Sequence, residues 1–267
     1  CVLGDAVARN GQFDLEPQHF SLSRLDLKKG KICYDNKYAK PEAAGLDVNH
    51  LALSALAIRV DSFFYSPERL TMGISKFSFR EKCGFCLSDM SCRVLMDTAR
   101  LNIPSLSIVT PASRMQAKLA MDLNAFADTL PGSLSANLDA RLGFADMAAL
   151  LPYMKPYVSR MPYAFIDVKG EMKGNMQKAH VPVFSLQIPG AMTARADGWL
   201  QNLTDIDRLK GHMAFAVRTQ QIDAIRRVLP AETAASFRLP SGMALDGKVA
   251  FDGAQYNVKV QLREGGG

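Results

Sequence analysis

Apolar and polar residues alternate one by one through most of this chain, and the clearest run lies between residues 131 and 176. From Ser133 to Phe144, Leu134, Ala136, Leu138, Ala140, Leu142 and Phe144 share one parity, with Ser135, Asn137, Asp139, Arg141 and Gly143 between them. A period of two predicts a strand with one dry and one wet face. The pattern resumes with Ala164, Ile166, Val168, Gly170, Met172 and Gly174 against Phe165, Asp167, Lys169, Glu171, Lys173 and Asn175. Between the two runs, Asp146 is placed as an N-cap before Met-Ala-Ala-Leu-Leu, Pro152 and Pro156 keep any helix short, and Met161-Pro162 reads as a turn. The predicted unit is strand, helical turn, strand.

The N-terminal third reads as a meander. Residues 20–27 and 31–36 predict a hairpin turning at Lys29-Gly30, and 41–45 a loop. Residues 47–61 predict a strand through Leu51, Leu53, Leu56, Ile58 and Val60. Strands over 69–79, 85–93, 94–101 and 105–110 follow. After them, Met115, Ala117, Leu119 and Met121 alternate, and 122–130 allows a helical turn ending at Pro131-Gly132. Further strands are predicted over 182–188, 191–200 and 210–218, with a capped turn at 205–209. The unit then recurs about 77 residues on: Gln221-Ile-Asp-Ala-Ile-Arg-Arg-Val-Leu-Pro230 resembles the segment 145–152, and Leu239-Pro240 with the strand after it resembles the segment from Met161. Such self-similarity predicts repeat architecture. The expected fold is mainly β: a long, curled, mostly antiparallel, groove-like sheet with short capping helices. Within it, 1–121 reads as a meander and 122–267 as strand-helix-strand repeats.

Composition narrows the function classes. With 267 residues, 48% hydrophobic and 22% charged, the chain suits a folded protein. No stretch approaches the roughly 18–20 apolar residues of a membrane-crossing helix, and the first twenty show no signal-like core. A first residue that is not methionine and a Gly265-Gly-Gly end lead us to expect an internal segment of a longer protein. The net charge of +6 is spread along strands beside acids. Its densest clusters, Lys28-Lys29 with Lys31 and Arg226-Arg227, are too small for a nucleic-acid stripe; a mild attraction to anionic headgroups is the alternative.

Catalytic and metal signals are weak. Cys83-Gly-Phe-Cys86 resembles half a zinc site or a redox pair, but two strand residues three apart point to opposite faces, so both thiols meet one metal only if the chain turns at Gly84. Small, buried packing residues are the expected role of the five cysteines, Cys1, Cys33, Cys83, Cys86 and Cys92. Gly242-Met-Ala-Leu-Asp-Gly-Lys-Val249 matches a phosphate loop except that Val249 lacks the magnesium-holding hydroxyl, and Met243, Leu245, Val249 and Phe251 alternate straight through it. His19, His50, His180 and His212 lack metal spacing and a nucleophile motif. No catalytic residue, metal or cofactor is expected.

Three stretches also carry a family likeness. Asp122-Leu-Asn-Ala-Phe-Ala-Asp, Leu142-Gly-Phe-Ala-Asp-Met-Ala-Ala-Leu-Leu-Pro-Tyr-Met and Gly170-Glu-Met-Lys-Gly-Asn, set among long alternating strands, resemble the TamB branch of the AsmA-like proteins in the form found in Bacteroides-type bacteria. The resemblance covers the chain from about Leu25 onward as a pattern, and its motifs are structural. It implies a periplasmic protein, anchored in the inner membrane outside this segment, whose rolled sheet carries phospholipid toward the outer membrane in an apolar groove. It also implies a barrel partner of the outer-membrane assembly class, the TamA and BamA type.

The physics of lipid movement agrees with that implication. Exposing about thirty methylenes to water at ~0.8 kcal/mol each costs more than ~20 kcal/mol, which an apolar trough removes. The residues expected to line it are Leu134, Ala136, Leu138, Ala140 and Leu142; Ala164, Ile166, Val168 and Met172; and Met243, Leu245, Val249, Phe251, Val258 and Val260. Small residues such as Ala136, Ala140, Ala164 and Gly170 would leave width for acyl chains. The same faces could close on one another as a sandwich core, which would leave a structural scaffold that assists outer-membrane protein assembly without carrying lipid.

Overall fold

The computed structural model describes residues 8–9, 12–13, 19–42, 44–127, 129–158, 164–221 and 242–264. A two-stranded ribbon, β1 (Ala8–Arg9) and β2 (Gln12–Phe13), stands apart from the main sheet. That sheet begins with β3 (Phe20–Leu22), β4 (Leu25–Asp35), β5 (His50–Ser66), β6 (Arg69–Glu81), β7 (Cys86–Leu87), β8 (Asp89–Asp97), β9 (Arg100–Val109) and β10 (Arg114–Asp122). It continues with β11 (Leu134–Gly143), β12 (Phe165–Gly174), β13 (Lys178–Ile188), β14 (Met192–Gln201), β15 (Lys210–Thr219), β16 (Met243–Asp252) and β17 (Gln255–Glu264). Two short helices, α1 (Phe144–Leu150) and α2 (Lys155–Val158), lie between β11 and β12.

The main sheet has 15 strands, every pairing in it is antiparallel, and spatial order follows chain order. β3 and β4 together edge β5, and β7 and β8 together edge the far side of β6. The first and last strands do not pair with each other, so the curled sheet stays open rather than closing into a barrel. The mainly β, antiparallel, groove-like architecture expected from the alternation is the one observed.

Register makes one face continuous. Ala117 lies opposite Leu106 and Leu138, Leu138 opposite Gly170, and Gly170 opposite Phe184. Ala196, Phe215, Gly247 and Val260 extend the same face to β17. The opposite face carries cross-strand ion pairs such as Arg141 with Asp167 at 2.8 Å and Arg218 with Asp246 at 2.9 Å. Exposed pairs of this sort add at most about 1 kcal/mol each, so their larger effect is on register: a one-residue slip would bring acids to the dry face. Bulges curl the sheet. Two of them fall beside Pro104 and Pro182, where a strand loses a ladder donor anyway.

The dry face is not sealed by a second layer. Among the described residues Leu56 is the one large side chain that is almost fully buried, and Leu119, Leu138, Ile166, Val168 and Met172 are each only half-buried. A sandwich would bury all of these. Adjacent side chains cover one another along the curve, and water reaches the rest.

Several sequence expectations are corrected. Lys29-Gly30 does not turn a hairpin: β4 runs unbroken through it, with Lys29 at φ 61° and register shifts on both sides of Gly30. The 17-residue β5 offers ladder partners along that whole length, so the chain absorbs the left-handed residue as a bulge and keeps pairing. The predicted break between Arg93 and Val94 lies within β8; the chain turns instead at Thr98-Ala99, where Asp97 Oδ1 accepts from the amides of Ala99 and Arg100 at 2.8 Å each. Pro104 lies inside β9 rather than before it, and Pro182 inside β13 rather than at its start, both tolerated by the bulges. The helical turn over 122–130 is a pair of tight turns, with Ala125 N donating to Asp122 O and Ala127 N to Asn124 O. Asp146 is not the N-cap of α1: Gly143 is, and Asp146 accepts from Thr110 Oγ1, Ser113 Oγ and the Ala112 amide, tying the helix to the β9–β10 turn. Cys1, the Met161-Pro162 turn, the Arg226-Arg227 cluster and most of the second repeat copy, 222–241, lie outside the described residues.

Candidate functional site

At the middle of the dry face, five consecutive strands from β9 to β13 enclose an open cavity of about 450 Å³. Leu106, Leu119, Leu138, Met172, Val181 and Phe184 are among the side chains that bound it, with Ala117, Ala136 and Gly170 contributing little bulk. Its depth comes from those small residues. A methyl built on Gly170 would meet nothing nearer than Phe184 Cδ2 at 3.9 Å, so the space above the glycine is empty. No carboxylate or ammonium group on this face enters it. The polar residues at its margin, Lys118, Asn137 and Glu171, have the parity of the wet face.

Toward the C-terminal end the same face is filled. A side chain on Gly211 would collide with the Phe251 ring, and one on Gly247 would come within 2.5 Å of Phe215 Cζ. Each of these phenylalanines lies directly opposite its glycine in the register. The ring takes the volume that the glycine leaves, a pairing that holds a curled sheet's register.

The expected lining residues are placed as follows. Ala136, Leu138 and Met172 bound the cavity, and Ile166, Val168 and Leu142 continue its face half-buried. Leu134, Ala140 and Met243 are buried near strand ends. Ala164 precedes β12 and is exposed. Leu245 and Val249 are half-buried on β16, Phe251 covers Gly211, and Val258 and Val260 stand exposed on the edge strand. Sequence reasoning missed the walls supplied by Ile103, Leu106, Val181 and Phe184. Their parity changes across the bulges at Pro104 and Pro182, which hides them from a period-two reading.

Ionisable groups are gathered elsewhere. Buried His50 lies with Nδ1 2.9 Å from Asp47 and Nε2 3.4 Å from Asp35. Amide donation from Glu42 foremost, then from Asn49, with the His50 contact, holds the Asp47 carboxyl below its usual range despite burial. Burial pulls Glu81 upward, but donors from Cys83 and the Ala52 amide outweigh it and leave it lowered. Gly84, at φ 97°, does turn the chain between Cys83 and Cys86. Burial pushes the Cys83 and Cys92 thiols up, away from reactive thiolate character. No cluster of three or more metal-ligating side chains occurs among the described residues, and no helix there is long and apolar enough to cross a membrane.

No protein-family model, no curated protein and no solved structure matches the chain.

Proposed function

We propose that this chain is a segment of a non-enzymatic lipid conduit, in which phospholipid acyl chains lie along the dry face of the sheet while the wet face meets solvent. The observation that carries the reading is the cavity over β9–β13: an unfilled, open hollow on a continuous apolar face, whose charged margin residues Lys118 and Glu171 have wet-face parity. Shielding acyl methylenes there is worth ~0.8 kcal/mol for each one covered, enough to hold a lipid in transit without trapping it. The TamB-type resemblance extends this proposal to phospholipid moving between inner and outer membranes across a periplasm, with a barrel partner at the far end.

A second reading makes the chain a filled β-scaffold that helps outer-membrane proteins assemble. It is favoured by Phe215 and Phe251, which close the face over β15 and β16, and by the open edge at β17, where another strand has room to add. Mass spectrometry of a solvent extract from purified protein separates the two. We expect co-purifying phospholipid in the wild type and its loss in Leu138→Asp, with far-UV circular dichroism unchanged. A wild-type protein free of lipid, or a Leu138→Asp protein that unfolds because the position was sealed core, would sink the conduit reading.

A further inference from the structure

Trp199 is the single tryptophan of the chain, and it stands on the wet face, 45% exposed. The register sets it in a row with His180 of β13 and His212 of β15. The His180 ring lies 4.5 Å from the indole, centroid to centroid, and Lys178 Nζ is 5.0 Å from the indole centre. Both come from β13 and so cover the indole on that side. Its other side looks across β15 and β16 into a cavity of about 530 Å³. Along the row, Ala250 gives this cavity a low floor and Asn257 its far wall, while Gln201 and Gln255 add amides at one end.

The hollow continues along the strands. A second cavity of about 440 Å³ shares His212, Ala250 and Asn257 with the first and reaches Lys248 and Lys259, with the Asp197 carboxylate on its β14 side. These two lysines face each other directly across β16 and β17, an arrangement that repels. Several other wet-face cations have an acid beside them, as in Arg141 with Asp167, Lys169 with Asp139 and Lys210 with Asp252. Lys248 and Lys259 form no ion pair among the described residues. A solvent-facing indole and two opposed ammonium groups about 7 Å further along the strands are both unfavourable for the empty protein and both favourable for the same ligand.

We infer that this trough binds an acidic carbohydrate. The negative face of the indole, backed by Lys178 and His180, receives the C–H face of a pyranose ring. Asn257, Gln201 and His212 supply donors and acceptors for its hydroxyls. The ammonium groups of Lys248 and Lys259 hold a carboxylate, sulfate or phosphate substituent. Single-stranded nucleic acid fits less well, because it stacks on successive aromatic side chains, and the hollow beyond Trp199 offers a single exposed indole face. The site lies on the face opposite the proposed lipid groove, so neither reading depends on the other.

Because Trp199 is the sole tryptophan, its fluorescence reports on the site directly. Titrating the full chain with trigalacturonate should give a saturable change in emission. Maltotriose, which is neutral, should bind about tenfold or more weakly, and so should trigalacturonate to the Lys248→Gln/Lys259→Gln variant. Calorimetry on Trp199→Ala should show no binding while its circular dichroism matches the wild type. The inference is overturned by any of four results: no saturation below about 10 mM; equal affinity for maltotriose; inorganic phosphate displacing trigalacturonate at equal concentration; or oligo-dT binding more tightly than the uronide.

Discussion

Gly170 and Gly247 hold equivalent places on the dry face, one on β12 and one on β16, and each lies opposite a phenylalanine in the register. Above Gly247 the Phe215 ring lies where a side chain would be; above Gly170 the Phe184 ring stands off, and the space is empty. The same residue pair therefore closes the sheet's concavity in one region and leaves it open in another. The difference follows the backbone. Phe184 adjoins the register shift that begins at Val181, and a bulge re-aims the side chains beside it. β15 and β16 pair without interruption along their length, so Phe215 projects straight over its partner. Whether a glycine makes a hollow depends on the regularity of the strand next door.

Substituting the two glycines tests this contrast most directly, and the largest effect belongs to the filled region. Gly247→Val forces a branched side chain against the Phe215 ring and against the Lys259 carbonyl oxygen, 2.8 Å from the new Cβ. We expect a loss of on the order of 2–3 kcal/mol in urea unfolding; a neutral result would mean that the ring is not packed there. Next, Phe251→Ala should cost about 2 kcal/mol, less than a sealed phenylalanine because the ring is half-buried. It should also uncover Gly211 and raise the amount of an acyl-chain probe bound per molecule. Failure to gain binding would show that an opened glycine is not sufficient to make a hollow.

Smaller effects on stability are expected in the open region. A Cβ at Gly170 meets nothing nearer than Phe184 Cδ2 at 3.9 Å and the strand backbone suits a branched residue, so Gly170→Val should change stability by no more than about 1 kcal/mol. Phospholipid co-purification should nonetheless fall sharply, since the new side chain occupies the cavity. Retained lipid would move the binding site elsewhere. The smallest effect concerns the β10–β11 loop at the edge of that region. Hydrogen bonds from the Ser133 amide first and its hydroxyl next, both 2.8 Å, together with Arg100, hold the Asp122 carboxyl below its ordinary range. A lowered carboxylate contributes stability above the unfolded value of about 3.9, and that contribution is lost as pH falls through the lowered one. The protection of the Ser133 amide relative to its intrinsic exchange rate should therefore fall only in acid, and in Asp122→Asn it should be low at neutral pH as well.

How much of this was readable from the chain varies by feature. The strands of β10, β11, β12, β14 and β15 were legible because their alternation is unbroken and their acids and bases fall on one parity. The open cavity was half legible. Ala136, Leu138, Gly170 and Met172 stand out as an apolar face with small members, but nothing in the order of residues distinguishes Gly170, left bare, from Gly247, covered. That distinction arises from a bulge at Pro182, whose effect on a ring two residues away is three-dimensional. The Lys29-Gly30 hairpin failed for a related reason. Local turn chemistry favoured a reversal, whereas the long partner β5 offered hydrogen bonds that only pairing at a distance reveals. The trough beside Trp199 escaped because its parts lie on four strands and each is an ordinary wet-face residue when read alone.

Serial pairing also governs how the molecule comes into being. From β9 to β16 each strand bonds only to the one made just before it and the one made just after, so a chain emerging from its N-terminus can lay down this part of the sheet one hairpin at a time. Nothing made early must wait for a distant partner. Duplicating a hairpin lengthens the assembly without disturbing what precedes it, so the length of such a sheet is set by the number of its hairpins.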